Sequence, residues 1–162
     1  MSAFWNRDRK AGLIVYPLGD AVGMAILGSF SLERICALGL AGALLYASEI
    51  PWWFGTIERR WKKPWVKTVA AIAYFNPLWI ARHFLIIQLV DEPFSFRNTS
   101  VAWAQIEEAV RLGVKSFVGA VVLSIVGNYI IQNRIRLEHR FLASALFSGG
   151  MAMYYAFSTL LK

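Results

Sequence analysis

Two long apolar runs on either side of a basic, aromatic segment constrain this chain more than any other feature. The apolar runs cover residues 35–50 and 66–90, and residues 51–67 lie between them. That segment interleaves cations with indole rings: Arg59, Arg60, Lys62, Lys63 and Lys67 with Trp52, Trp53, Trp61 and Trp65. Indole rings prefer the boundary between water and lipid, where long cationic side chains reach the headgroups. The pattern predicts a short turn at one membrane face, joining two spanning helices.

The composition fits a membrane protein and argues against two other classes. With 57% hydrophobic and 15% aromatic residues, the chain is too apolar for an ordinary soluble domain. A basic, aromatic-rich stretch also occurs in nucleic-acid-binding proteins, but the apolar flanks leave no soluble domain to support that function. The formal charge of +7 instead favours anionic lipid headgroups as partners. We therefore expect one membrane domain over residues 1–162, with no nucleic-acid partner.

Hydropathy predicts an all-α bundle of five transmembrane helices. The expected segments are residues 11–30, 35–53, 65–90, 116–132 and 141–161, the first of them a retained helix and not a cleaved signal peptide. Residues 101–115 form an amphipathic lead-in, in the interface or extending the fourth span. Ser31 caps the second helix and Thr99 or Ser100 caps the lead-in, while Pro77 is expected to bend the third helix. Four spans, with residues 11–30 lying in the interface, is the alternative.

The distribution of basic residues orients this layout. With the N-terminus inside, eleven cations fall on the inner side and five outside, and Arg82 lies within a span. The inner set is Arg7, Arg9, Lys10, Arg59, Arg60, Lys62, Lys63, Lys67, Arg134, Arg136 and Arg140. Under the positive-inside rule this favours an inner N-terminus and an outer C-terminus. A bacterial plasma membrane and a mitochondrial inner membrane both fit.

Three charged or titratable residues form the core of a candidate intramembrane site. Asp20 and Arg82 lie at similar depths in the first and third segments, so they are placed to form an ion pair. Such a pair either lines a solute path or fixes the packing of the two helices. His83 points about 100° away from Arg82 and serves either as a proton-responsive group or as an interhelical hydrogen-bonding residue.

Asn128 completes the candidate site. It lies at mid-depth in the fourth segment, level with Gly149 and Gly150. It is expected to hydrogen-bond into the gap left by those glycines, with pore lining as the alternative. No phosphate-binding loop, hydrolase motif or metal-ligand spacing is present, and Cys36 is the single cysteine. We therefore predict no catalytic residues, no metal and no cofactor.

The order of several residues resembles the Mpv-type family of small peroxisomal and mitochondrial inner-membrane proteins. The matches are Gly19-Asp20, Arg34, Trp53-Phe54, Glu58-Arg59, Lys67 with Pro77, Asn128-Tyr129, and Arg140 with Tyr154. The chain has apolar residues at four places where the family has others: Met24, Ala71-Ile72, Val121-Val122 and Met151. The resemblance implies a non-enzymatic membrane protein that forms or lines a solute path.

Two other functions fit the same sequence. An accessory or assembly subunit would pack small residues and apolar faces against partner helices of a larger complex. A membrane-embedded, lipid-modifying enzyme is the third reading. A bundle this small has little room for a lumen, so we expect a homo-oligomer or partner membrane proteins.

Overall fold

The computed structural model describes residues 6–93 and 97–160, with the backbone alone for Phe75 and residues 155–160. Six α-helices lie in these ranges, with a short 3₁₀ turn, Leu137–His139, before the last. They are α1 (Arg7–Ile26), α2 (Leu32–Arg60), α3 (Pro64–Asp91), α4 (Thr99–Gly119), α5 (Val121–Arg134) and α6 (Arg140–Leu160). The two described ranges contain no strand, and the all-α prediction is confirmed.

Side-chain caps define where three of the helices begin. Asn6 caps α1, and Ser31 caps α2 by accepting a hydrogen bond from the backbone N–H of Arg34 at 3.2 Å. The prediction for Ser31 is confirmed. Thr99 and Ser100 do not cap α4, because the cap is Asn98, whose side chain accepts from the backbone N–H of Ser100 at 3.1 Å. An asparagine in extended backbone conformation is as strong a cap as serine, and here it comes first.

Helix α2 extends further than the hydropathy pattern predicts. It continues through Pro51 to Arg60, so the connection to α3 is only residues 61–63, and the turn predicted over residues 51–67 is wrong in extent. Ile50, Phe54 and Ile57 explain the continuation, because they form a buried stripe on one helical face that spans the proline. Near its middle, Ala41–Tyr46, α2 has π-helical hydrogen bonding.

Glycines bring α1 into direct backbone contact with two other helices. A Cβ at Gly12 would overlap the carbonyl of Gly42 in α2, and one at Gly19 would lie 2.8 Å from the Cα of Gly149 in α6. Small residues allow helices to approach this closely. The remaining contacts are chiefly between α3 and the pair α4 and α5, so α1 with α6 and α2 forms one side of the bundle.

Two helices are long and apolar enough to cross a membrane, namely α2 and α3. A third span results if α4 and α5, which meet at an angle of 79°, count as one broken span. Helices α1 and α6 do not qualify on length and composition, and α1 contains Arg7, Asp8, Arg9, Lys10 and Asp20. An integral membrane protein is compatible with these helices, whereas five spans remain a prediction.

The sharp break after α4 changes the expected lead-in. Residues 101–115 belong to a helix that ends at Gly119, and the chain then turns before Val121. The fourth segment, predicted over residues 116–132, is therefore divided between α4 and α5. Residue 120 has non-helical backbone angles, and it serves as the end of one helix and the start of the next.

The basic segments meet at one end of the bundle. Asn133, near the end of α5, donates to the carbonyl of Pro64 at 3.4 Å, while Arg7 lies 3.1 Å from a ring nitrogen of His139. Burial raises the pKa of the neighbouring Asp8 carboxyl, and Arg7 offsets part of that rise. The N-terminus of α1, the α2–α3 turn and the α5–α6 connection thus share this end, which we call the basic end.

Candidate functional site

A buried ion pair joins α1 to α2 near the opposite end. Arg34 Nη2 donates to Asp20 Oδ1 at 2.8 Å, and only 7% of Asp20 is exposed. Gly28, with φ of 69°, allows the chain to reverse after α1, because this left-handed conformation costs glycine little. The reversal places the first turn of α2 beside the C-terminal half of α1, within reach of the Arg34 side chain.

The predicted pair between Asp20 and Arg82 is wrong. Arg82 Nη1 donates to Glu49 Oε2 at 2.5 Å, and the Tyr74 hydroxyl donates to the other oxygen of Glu49 at 3.0 Å. Consecutive helical residues point about 100° apart, so α3 directs Arg82 toward α2 and His83 toward α1. His83 Nε2 lies 4.0 Å from Asp20 Oδ1.

An aromatic cluster lies between these two polar groups. His83 stacks on Trp79 with ring centroids 5.1 Å apart, and Trp79 lies 6.0 Å from Tyr16 and 6.1 Å from Tyr46. Arg82 sits 5.7 Å from the centroid of the Tyr46 ring. His83 faces a carboxylate across a helix interface, but at 4.0 Å it is too far for a hydrogen bond, and its Nδ1 has no partner in the described part of the chain. The predicted interhelical hydrogen bond is therefore not formed there.

A cavity of about 600 Å³ opens beside the Asp20–Arg34 pair. Four helices form its wall: α1, α3, α4 and α6, together with Arg34 from α2. The titratable groups in this wall are Asp20, Arg34, His83, Lys115 and Tyr154. Most of the remaining surface is apolar, from residues such as Met24, Leu27, Ile80, Phe84, Ile87 and Leu112. The wall of the cavity thus combines a few charged side chains with a mostly apolar surface.

Asn128 lies apart from this cavity. Its side-chain nitrogen donates to the carbonyl of Ser124 at 2.9 Å, and it borders a second cavity of about 40 Å³ that Asn76 also lines. The predicted bond into the glycine gap is wrong, because the backbone of Gly19 fills the space beside Gly149. The four predicted polar residues thus divide among three places.

A second charge cluster, at the basic end, escaped the sequence analysis. Glu58 accepts from Lys67 Nζ at 2.8 Å and from Arg140 Nη1 at 2.8 Å, which ties α2 to α3 and α6. Arg140 is 6% exposed and also donates to the carbonyl of Ile135. The sequence signal for this cluster is Glu58, a single acidic residue within a dense basic segment, because buried cations need a counter-ion.

The predicted interface anchors fall into two groups. Trp52 and Trp65 are exposed, as are the cations Arg59, Arg60, Lys62 and Lys63. Trp53 instead donates to the carbonyl of Ala70 at 3.3 Å and packs against Trp61, 6.2 Å away. Two of the four indoles therefore help to join α2 to α3.

Comparison with known proteins gives no relative to build on. No protein-family model, no curated protein and no solved structure matches this chain. Within residues 6–93 and 97–160, no group of three or more His, Cys, Asp or Glu side chains is arranged to hold a metal ion. Function is therefore argued from the geometry.

Proposed function

We propose that this chain is a small, non-enzymatic integral membrane protein of five helical spans that lines a solute path. The observation that carries the proposal is the cavity of about 600 Å³ with Asp20, Arg34 and His83 in its wall. Charged groups at membrane depth are costly, and they are typically retained where they meet a solute or an ion. Arg82 and Glu49 lie outside this wall and fix α3 against α2.

The distribution of apolar side chains supports a lipid environment. Large hydrophobic residues on several helices point outward, including Ile14 (61% exposed), Val69 (60%) and Val122 (70%). Asp20, Gln132 and Arg140 are buried within the bundle. Exposed apolar residues and buried polar ones together are typical of a protein surrounded by hydrocarbon.

The residues behind the Mpv-type resemblance also support the proposal. Asp20 and Arg34, which match that family's pattern, contact each other, and Glu58 contacts both Lys67 and Arg140. These pairings join positions 14, 9 and 82 residues apart in the chain. These contacts give a structural reason for the spacing pattern that the chain shares with the family. The resemblance in turn implies solute conductance.

A flux experiment with matched glycine variants tests the proposal. Gly119 lines the cavity and Gly150 does not, yet among the described residues neither has a neighbouring atom within 4 Å of an added Cβ. Purified Gly119→Phe and Gly150→Phe proteins are reconstituted in liposomes, and efflux is measured for solutes of graded size and charge. The proposal predicts that the parent and Gly150→Phe conduct, whereas Gly119→Phe slows efflux at least about tenfold.

Two results would contradict the proposed path. One is a parent protein that releases no solute faster than empty liposomes, given a native circular dichroism spectrum. The other is equal efflux through Gly119→Phe and Gly150→Phe. In either case the cavity does not conduct.

A further inference from the structure

We propose that the cavity beside Asp20 and Arg34 binds an amphiphilic anion, with its acidic headgroup at Arg34 and Lys115 and its apolar body along α1, α3 and α4. This inference rests on the proposed function, because it names the chemical class of the solute that enters that path. The ligand class comprises amphiphiles with a carboxylate or phosphate headgroup and a hydrocarbon body.

The charge of the wall favours an anion. Asp20 balances one of the two permanent cations, Arg34, and leaves Lys115 in excess. Lys115 is exposed and forms no salt bridge with any residue in the described ranges. Arg34 uses Nη2 for Asp20, and no bond from Nη1 is found among these residues. A guanidinium is suited to carboxylate and phosphate oxygens, because its N–H groups form a planar fork.

Further unpartnered polar atoms surround the ion pair. Asp20 Oδ2, Arg34 Nε and His83 Nδ1 are buried without a hydrogen-bond partner in the described part of the chain. Buried polar groups are normally satisfied, so a cluster of unsatisfied ones indicates a place completed by water or by a ligand. His83 and Arg34 can contribute N–H donors to an anion that displaces water from this region.

The size and apolarity of the cavity favour a hydrocarbon body over a small hydrophilic ion. Ligand cavities commonly measure about 300–1,000 Å³ and combine apolar walls with a few polar groups that set orientation. This cavity, about 600 Å³, has a wall with a few charged residues, and much of the rest is apolar, including Leu27, Phe84, Ile87 and Leu112. A hydrated inorganic ion would gain nothing from that apolar surface.

Binding is measured with the full chain in nanodiscs of zwitterionic lipid, which avoids competition from detergent. The probes are laurate and dodecyl phosphate as anions, dodecanol as the neutral analogue and dodecylammonium as the cation. Saturable binding of both anions is expected, at least about tenfold tighter than that of dodecanol or dodecylammonium. Dodecanol binding as tightly as laurate would overturn the proposal.

Substitutions of the charged residues test where the anionic headgroup binds. Lys115→Gln alters an exposed residue and leaves the fold intact, and it is expected to weaken laurate binding about threefold to tenfold. The double variant Asp20→Asn with Arg34→Gln removes the buried pair together, and at least a tenfold loss is expected. Lys62→Gln, an exposed cation at the basic end, is the matched control and should bind as the parent does. Equal laurate affinity in the parent, Lys115→Gln and the double variant contradicts the headgroup assignment.

Two further measurements extend the experiment. The first identifies the source of the anion, and the second distinguishes the anion-binding proposal from the solute-path proposal. Adding phosphatidylglycerol to the nanodiscs displaces laurate if a bilayer lipid is the natural occupant, and leaves its affinity unchanged if a free amphiphile is. Efflux of hydrophilic solutes that Gly119→Phe slows and Gly150→Phe does not, without laurate binding to the parent, overturns the ligand class and leaves the path standing. Laurate binding without any solute efflux overturns the path and leaves an anion site.

Discussion

Asp20 accepts a hydrogen bond at 2.8 Å from Arg34, which lies in the first turn of the next helix in the chain. The partner expected from depth alone, Arg82, is held by Glu49. Adjacent residues on α3 thus serve different interfaces, since His83 faces α1 and Arg82 faces α2. The ion pair in the cavity wall, Asp20 with Arg34, joins the consecutive helices α1 and α2. The pair of Glu49 with Arg82 holds α3 against α2.

Double-mutant cycles distinguish the observed pairing from the expected one. Combining Asp20→Asn with Arg34→Gln should give a coupling free energy of about 1–3 kcal/mol, because the two groups share a buried hydrogen bond. Combining Asp20→Asn with Arg82→Gln should be additive within about 0.5 kcal/mol, since these residues share no partner. Unfolding by sodium dodecyl sulfate in mixed micelles gives the free energies. Strong coupling in the second cycle alone would contradict the structure.

Replacing Glu58 should destabilise the basic end. Glu58→Ala leaves the buried Arg140 guanidinium without its carboxylate, and breaking a buried pair costs several kcal/mol. Because Glu58 itself is 36% exposed, we expect a smaller loss of about 2–3 kcal/mol in the free energy of unfolding.

The exposed pair between Glu108 and Arg111 is the control for that experiment. Its nitrogen–oxygen distance, 2.6 Å, is shorter than the 2.8 Å of the Glu58 pairs, but both of its side chains are exposed, Arg111 by 64% and Glu108 by 41%. Glu108→Ala should therefore leave the unfolding midpoint unchanged. A similar loss in both variants would show that burial of Arg140 is not the cause.

The close backbone contact between α1 and α2 should leave no space for a side chain at Gly12. Gly12→Ala places a methyl group against the carbonyl of Gly42, and overpacking of this kind costs about 1–3 kcal/mol. Gly55→Ala is the matched control, because its added Cβ meets only the Arg59 guanidinium at 3.9 Å. Alanine favours a helix over glycine, so this variant should be neutral or slightly stabilised. Thermal unfolding in detergent compares the stability of the two variants.

Thiol labelling tests the grouping of the connections. Starting from Cys36→Ser, single cysteines replace Lys62, Arg136 and Ser29 in separate proteins. The contacts of Asn133 with Pro64 and of Arg140 with Glu58 place positions 62 and 136 at one end, while Ser29 lies in the turn after α1. An impermeant maleimide should label 62 and 136 from the same side of the membrane and 29 from the other. Labelling of 62 and 136 from opposite sides would exclude this arrangement.

The sequence predicts helix positions here better than helix contacts. Apolar runs locate α1, α3 and α6 to within about four residues, but they miss the end of α2 at Arg60 and the break between α4 and α5. Ser31 is recognisable as a cap because its chemistry acts locally. Asp20, Arg82 and His83 are recognisable because charge in an apolar run is rare. Their partners depend on how each helix is rotated about its own axis, which a linear pattern does not record.

Long side chains add a second difficulty. Arg34 was assigned to a loop by counting residues, yet its side chain reaches an acid six residues inside α1. Arg140 likewise contacts Glu58 from the start of α6. Depth counted along the chain therefore does not fix where the charged end of an arginine lies.

The π-helical segment Ala41–Tyr46 gives α2 an unusual sensitivity to chain length. Each residue in a helix advances the following face by about 100°, so adding or deleting one here would turn residues 47–60 as a block. Glu49, Phe54 and Glu58 would leave three different neighbours simultaneously. Natural variation in this stretch should consequently consist of exchanges of one amino acid for another, at constant spacing between Arg34 and Glu49.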